Sequence, residues 1–141
     1  MTLEFEKICV IGLGYVGLPT AAVFASRGVH VIGVDTNPAT VETINQGKIH
    51  IVEPDLDIMV NGAVSAGKLK ATGAPQTADA YIIAVPTPFM DDHKPDLSFV
   101  KAAALSIAPV LEAGALVIIE STCPVGTTDK VSEWLAAARS D

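Results

Sequence analysis

The chain has 141 residues, half of them hydrophobic, and its mean hydropathy of +0.44 is sufficient for the core of one ordinary domain, so disorder is not expected. Nine Lys and Arg against sixteen Asp and Glu give a formal net charge of −7, which argues against nucleic-acid or anionic-membrane binding, since both need clustered positive charge. Two cysteines are too few for a small secreted disulfide scaffold, and no segment reaches the about 20 apolar residues that span a bilayer. We therefore expect a soluble cytoplasmic protein.

Apolar runs of strand length alternate with helical patterns along the chain. In order, the patterns predict a strand at 8–11, a helix at 15–26, a strand at 29–34, a helix from Pro38 to a stop at 45–47, a short helix after 53–55, strands at 69–72 and 80–85, a helix at 97–111, a strand at 115–119 and a helix ending near Ala138. Pro109 is expected to kink its helix near the end. This alternation predicts an α/β fold with a doubly wound parallel sheet and helices on both faces.

Residues 12–17 form a Gly-x-Gly-x-x-Gly turn between the first strand and the first helix. Such a motif often arises by chance, but here Asp35 also ends the next strand, 18 residues after the turn, as a dinucleotide site requires. Gly12 would permit the tight turn, Gly14 would let the backbone approach a pyrophosphate, and Gly17 would let the helix pack close to the strand. The pattern predicts a Rossmann-type dinucleotide site, whereas a turn that binds nothing would leave Asp35 unexplained.

The same residues indicate which dinucleotide is bound. The phosphates would contact the backbone amides of Tyr15 and Val16, where the helix dipole favours negative charge. Asp35 would accept hydrogen bonds from the adenosine ribose and repel a 2′-phosphate, and residues 36–47 hold no Arg or Lys to bind that phosphate. The expected cofactor is therefore NAD rather than NADP. The alternative for Asp35 is an exposed carboxylate at a strand end.

The loops after the fourth and fifth strands should open on the same crevice as the glycine turn, because ligands gather beyond the carboxyl ends of parallel strands. Pro86, Thr87 and Pro88 make a stiff loop with one hydroxyl, and residues 121–128 supply hydroxyls and then a helix start. A contact with ribose or nicotinamide and simple turn and capping chemistry explain these loops equally well. Cys123 has no evident base beside it, and the histidines lack metal-ligand spacing, so neither a nucleophile nor a metal site is expected.

Together these motifs resemble the UDP-glucose and UDP-N-acetylmannosamine dehydrogenase family. The resemblance rests on residues 11–19, 33–37, 49–56, 85–88 and 120–126, and it extends in order over nearly the whole chain. It implies a two-step oxidation of the C6 alcohol of a UDP-sugar to a carboxylate, with two hydrides passed to two NAD⁺ through a cysteine-bound intermediate. The segment 49–56 is similar to the N-acetylmannosamine branch of the family.

The resemblance also assigns roles to residues. The family positions that contact NAD match Tyr15, Val16, Asp35, Thr87 and Thr122. Thr122 would also lie near the reacting groups, which implies a supporting part in catalysis. Thr40 is a departure from the family, because many relatives carry a basic residue there that helps to hold the ribose.

A second departure is the absence of the family's catalytic cysteine, lysine and water-activating acid, which lie beyond a chain of this length. Residues 1–141 are therefore expected to be an NAD-binding domain cut from a longer enzyme and inactive alone. The missing part would bind the UDP-sugar, and the full-length enzyme would be a homo-oligomer. The alternatives are a freestanding NAD-sensing regulatory module and a dehydrogenase of the same family that acts on another UDP-sugar.

Overall fold

A computed structural model describes residues 5–88 and 90–139. The strands are β1 (Lys7–Ile11), β2 (His30–Val34), β3 (Leu69–Thr72), β4 (Ala80–Ile83) and β5 (Leu116–Ile119). The helices are α1 (Gly17–Ser26), α2 (Pro38–Asn45), α3 (Leu56–Ser65), α4 (Ser98–Ile107) and α5 (Thr127–Ala138). All neighbouring strands pair in parallel, in the order β3-β2-β1-β4-β5, which confirms the predicted α/β fold with a Rossmann-type doubly wound sheet.

The central strands are buried on both faces because successive residues in them are apolar. In β1, Ile8 and Val10 pack in the layer that contains α1, α2 and α3, whereas Cys9 and Ile11 pack in the layer of α4 and α5. Each large apolar side chain so buried stabilises the fold by about 1.5–3 kcal/mol. The two layers hold the carboxyl ends of the strands at one edge of the sheet, where the glycine turn lies.

Two helix boundaries differ from the prediction. Helix α1 begins at Gly17 and not at Tyr15, because the chain is still turning at residues 14–16. Helix α4 ends at Ile107, and a 3-10 turn over Ala108–Val110 follows it, so Pro109 ends the helix where a kink was expected. Proline has no N–H to donate to the preceding turn, which explains this early end. Among residues 5–88 and 90–139, no helix has the length and apolar character needed to cross a bilayer.

Cys9 lies in the middle of the sheet, fully buried and paired in register with Tyr81. Desolvation of the thiolate raises the pKa of Cys9 to about 11, from an ordinary value of about 9.

At about pH 8 we expect a thiol reagent to label the half-buried Cys123 of the folded chain, and both cysteines only after unfolding in urea. The free energy of unfolding should also fall as pH rises from about 9 to about 11, because the unfolded thiol ionises first. Rapid labelling of both thiols in the native chain would contradict this placement of Cys9.

Candidate functional site

A cleft of about 470 Å³ opens at the carboxyl edge of the sheet. Its lining comes from five places: Ile11 and residues 12–16 of the glycine turn, residues 34–36 at and after the end of β2, Gly73 and Pro75 after β3, residues 84–86 after β4, and one face of α4 (Phe99, Ala102, Ala103 and Ser106). Its size lies in the range of small-molecule sites, and its walls are mostly apolar with a few polar groups at the rim. Such a cleft suits a ligand that combines a flat ring with polar attachments.

The three glycines of the turn meet different surroundings. Gly12 has a φ of +98°, and a Cβ there would lie 2.7 Å from the carbonyl oxygen of Ala84. A Cβ at Gly17 would fall on the carbonyl oxygen of Gly12, so Gly17 lets the turn close on itself in addition to letting α1 approach β4. A Cβ at Gly14 would meet no heavy atom within 4 Å. Gly14 therefore borders open space on the cleft side, as close approach of a ligand to the backbone requires.

Asp35 connects the end of β2 to the glycine turn. One carboxylate oxygen, Oδ2, accepts the N–H of Leu13 at 3.1 Å, and the other, Oδ1, accepts the N–H of Asn37 at 2.9 Å. The side chain is half-buried at the cleft wall. Because each carboxylate oxygen can accept a second hydrogen bond, Asp35 can hold the turn and still bind ribose hydroxyls. The carboxylate therefore supports the turn and retains acceptor positions at the wall of the cleft.

Helix α2 begins at Pro38, shortly after Asp35, and the described residues that line the cleft include no Lys or Arg. The Oδ1 of Asn37 accepts the N–H of Ala39 at 3.0 Å and caps the helix, and Pro38 occupies its first position. Thr40, named above as a departure from the family pattern, is buried on this helix and does not line the cleft. The charge next to the ribose position is therefore that of Asp35, which disfavours a 2′-phosphate.

The two later loops are tied to each other. The hydroxyl of Thr87 donates to the carbonyl of Thr122 at 2.7 Å, and the hydroxyl of Ser121 donates to the carbonyl of Val85 at 2.8 Å. Of the residues predicted to contact NAD, the cleft is lined by Gly12, Gly14, Tyr15, Val16, Asp35 and Pro86. The others, Gly17, Thr87 and Thr122, lie outside its lining. Gly17 is buried behind the turn, and the threonines join the loops beside the cleft.

One wall of the cleft was missed by sequence reasoning. Helix α4 presents Phe99, Ala102 and Ser106 to the cleft, opposite the glycine turn. These residues belong to no motif, and they reach the cleft only because α4 packs across the sheet beside β1 and β4. The signal that the sequence offered was the run of small residues at 102–104, close to the aromatic Phe99.

The N-terminus of α1 is the part of the cleft where phosphates would bind. No side chain caps this helix at Val16. In its first turn the N–H groups of Leu18 and Thr20 donate to the carbonyls of Gly14 and Val16, and Pro19 has no N–H, so a phosphate would meet the amides of the preceding turn, around Tyr15 and Val16. Tyr15 and Val16 are both exposed at this end. A helix start of this kind binds phosphate through its amides and its dipole. These groups, together with Gly14 and Asp35, fit the pyrophosphate and the adenosine ribose of a dinucleotide.

Comparison with known proteins agrees with this geometry. Residues 6–141 match the model of the UDP-glucose/GDP-mannose dehydrogenase family, NAD binding domain. The chain belongs to this family. Its resemblance to the nucleotide-sugar dehydrogenases is thus confirmed, and because the matching model is that of the NAD binding domain, NAD is confirmed as its cofactor.

Individual relatives are similar over nearly all of the chain. A UDP-N-acetyl-D-mannosamine dehydrogenase of Yersinia pestis is 64% identical over 139 residues, which are 99% of this chain and 33% of the relative. An NDP-N-acetyl-D-galactosaminuronic acid dehydrogenase of Ralstonia nicotianae is 61% identical, with the same coverage of both chains. The solved UDP-D-ManNAc dehydrogenase of Pyrococcus horikoshii superposes with a TM-score of 0.90 at 44% identity, over 94% of this chain and 32% of that one. The chain therefore spans about a third of the length of these relatives.

Proposed function

We propose that this chain is the NAD-binding part of a dehydrogenase that oxidises the C6 alcohol of UDP-N-acetylmannosamine to a carboxylate. The observation that carries the proposal is Asp35, which faces the cleft while its carboxylate holds the backbone of the glycine turn. This arrangement selects NAD by accepting hydrogen bonds from an unphosphorylated ribose. The choice of sugar is supported by the similarity to the Yersinia pestis enzyme.

The residues of this chain would bind and orient the cofactor. Asp35 would hold the adenosine ribose, and the amides around Tyr15 and Val16 would hold the phosphates. NAD supplies the hydride acceptor when it is bound. Thr122 is proposed as a supporting residue near the reacting groups, because Thr87 fixes its carbonyl at the same edge of the sheet.

The remaining partners are also proposals. We infer that the sugar-binding residues and the catalytic cysteine lie in another part of a longer protein, since the chain spans about a third of the length of its relatives. The full-length protein would be a homo-oligomer in the cytoplasm that binds neither nucleic acid nor membrane. The net charge of −7 and the two free thiols support this environment.

Calorimetric titration tests the cofactor part of the proposal. The chain should bind NAD and NADH, and NADP should bind about tenfold more weakly or worse, because its 2′-phosphate would meet the Asp35 carboxylate. Equal affinities for NAD and NADP would contradict the role of Asp35.

The substrate part needs the full-length protein and a panel of UDP-sugars. UDP-N-acetylmannosamine should give the fastest NADH formation. Faster turnover of UDP-N-acetylgalactosamine would instead make that sugar the substrate, an alternative that the name of the 61% identical Ralstonia relative suggests. NAD binding with no turnover of any UDP-sugar would favour an NAD-sensing regulatory module.

A further inference from the structure

Strand β5 is the edge of the sheet next to the two later loops. Within the part of the chain that the structure describes, β5 pairs with β4 alone. Its side chains are exposed or half-exposed, whereas those of β4 are all buried. Residues 120–122, here called the β5 tail, continue from its carboxyl end. The N–H groups of Glu120 and Ser121 both donate to the carbonyl of Ile83, at 2.9 and 3.2 Å, so backbone bonding to β4 extends into the start of the β5 tail. Because the edge strand offers a neighbour on one side only, side-chain contacts complete the placement of the tail.

Two of these contacts bind the β5 tail to the loop after β4. They are the hydrogen bonds from Ser121 to the carbonyl of Val85 and from Thr87 to the carbonyl of Thr122. Both lie beside the cleft, at the edge of the sheet where the proposed function puts Thr122 near the reacting groups and therefore near the nicotinamide. They fix the two loops to each other, but neither reaches the helix that would hold the phosphates.

A third contact does reach that helix. The hydroxyl of Thr20, the fourth residue of α1, donates to Oε1 of Glu120 at 2.5 Å across a sequence separation of 100 residues. The short distance is typical of a hydroxyl that donates to a carboxylate. Within residues 5–88 and 90–139, it is the side-chain hydrogen bond that joins the β5 tail to α1. Glu120 is exposed and Thr20 is half-buried, and the bond is open to solvent, so it should contribute little to folding.

We propose that Thr20 and Glu120 form a clasp that positions the nicotinamide half of NAD relative to its phosphates. The inference rests on the proposed function. The start of α1 holds the phosphates and the later loops receive the nicotinamide riboside, so one NAD molecule must contact two separately anchored elements at once. The clasp fixes the distance between these elements before NAD arrives, so that less ordering is required on binding. Glu120 is thus a positioning residue and touches the cofactor indirectly, through the β5 tail.

Calorimetry with NAD and with ADP, which lacks the nicotinamide riboside, tests the clasp. Thr20→Val and Glu120→Ala should each weaken NAD binding about three- to tenfold, the worth of one hydrogen bond, and leave ADP binding unchanged. The double variant should bind NAD no more weakly than either single variant, because both remove the same bond. Glu120→Gln keeps an acceptor for Thr20 and should bind NAD within about twofold of wild type.

Thr43→Val is the matched control, because it removes a hydroxyl that donates to a carbonyl on α2, away from the cleft. Unchanged NAD affinity in both Thr20→Val and Glu120→Ala would overturn the clasp. Equal losses for NAD and ADP would also overturn it, since they would show a general loosening of the site. Failure of the wild-type chain to bind NAD or ADP would instead overturn the proposed function.

Discussion

Gly17→Ala should destabilise the chain by about 3 kcal/mol or more, because a Cβ at this position would fall on the carbonyl oxygen of Gly12. The backbone at both ends of the contact is fixed, by the end of β1 on one side and the start of α1 on the other. The clash cannot be relieved by rotating a side chain. Urea unfolding followed by circular dichroism measures the loss, and a free energy of unfolding equal to that of wild type would contradict this packing of the turn.

Gly14→Ala is the matched variant within the same turn. Its Cβ would meet no protein atom within 4 Å, so the free energy of unfolding should stay within about 0.5 kcal/mol of wild type. NAD affinity should nevertheless fall about tenfold or more, because the methyl group would stand where the pyrophosphate approaches the backbone. Undiminished NAD binding would show that the phosphates lie elsewhere.

Asp35→Ala should weaken NAD binding about tenfold or more, since hydrogen bonds to a carboxylate are each worth about 1.5–3 kcal/mol. It should also lower the free energy of unfolding by about 1–3 kcal/mol, because the part-buried N–H of Leu13 loses its acceptor. The difference between NAD and NADP affinities should shrink in the variant. Calorimetry and urea unfolding measure the two effects separately.

Asn37→Ala, at the start of α2, distinguishes a loss of stability from a loss of NAD binding. It removes the cap of α2, which costs about 0.5–2 kcal/mol, but it keeps the Asp35 carboxylate. Its NAD affinity should remain near that of wild type. If Asn37→Ala weakened NAD binding as much as Asp35→Ala, the effect of Asp35 would be one of local order and not of ribose recognition.

The fold could be predicted from the sequence because its signals are local. Apolar runs such as residues 8–11 and 80–85, and the glycine turn between strand and helix, are each contained in a few consecutive residues. The prediction was less accurate for residues outside such local patterns. Pro109 was expected to bend a helix that in fact ends at Ile107.

The site was predictable only in part, because half of it depends on contacts between distant segments. Asp35 and the glycines follow a known spacing, but nothing in the sequence links Phe99 to the same cleft or Thr20 to Glu120. These pairings arise when α4 crosses the sheet and when β5 joins its edge. The sugar is not specified by this segment either, since relatives of 64% and 61% identity are named for different sugars.

The proposed double use of the Asp35 carboxylate would limit how this domain could evolve or be redesigned towards NADP. Removing the acid would relieve repulsion of the 2′-phosphate, yet it would also release the amide of Leu13 from its acceptor. A change of cofactor preference therefore needs at least two substitutions, one that supplies a new acceptor to the turn and one that supplies a cation for the phosphate. Single substitutions at Asp35 should yield weak binders of both dinucleotides.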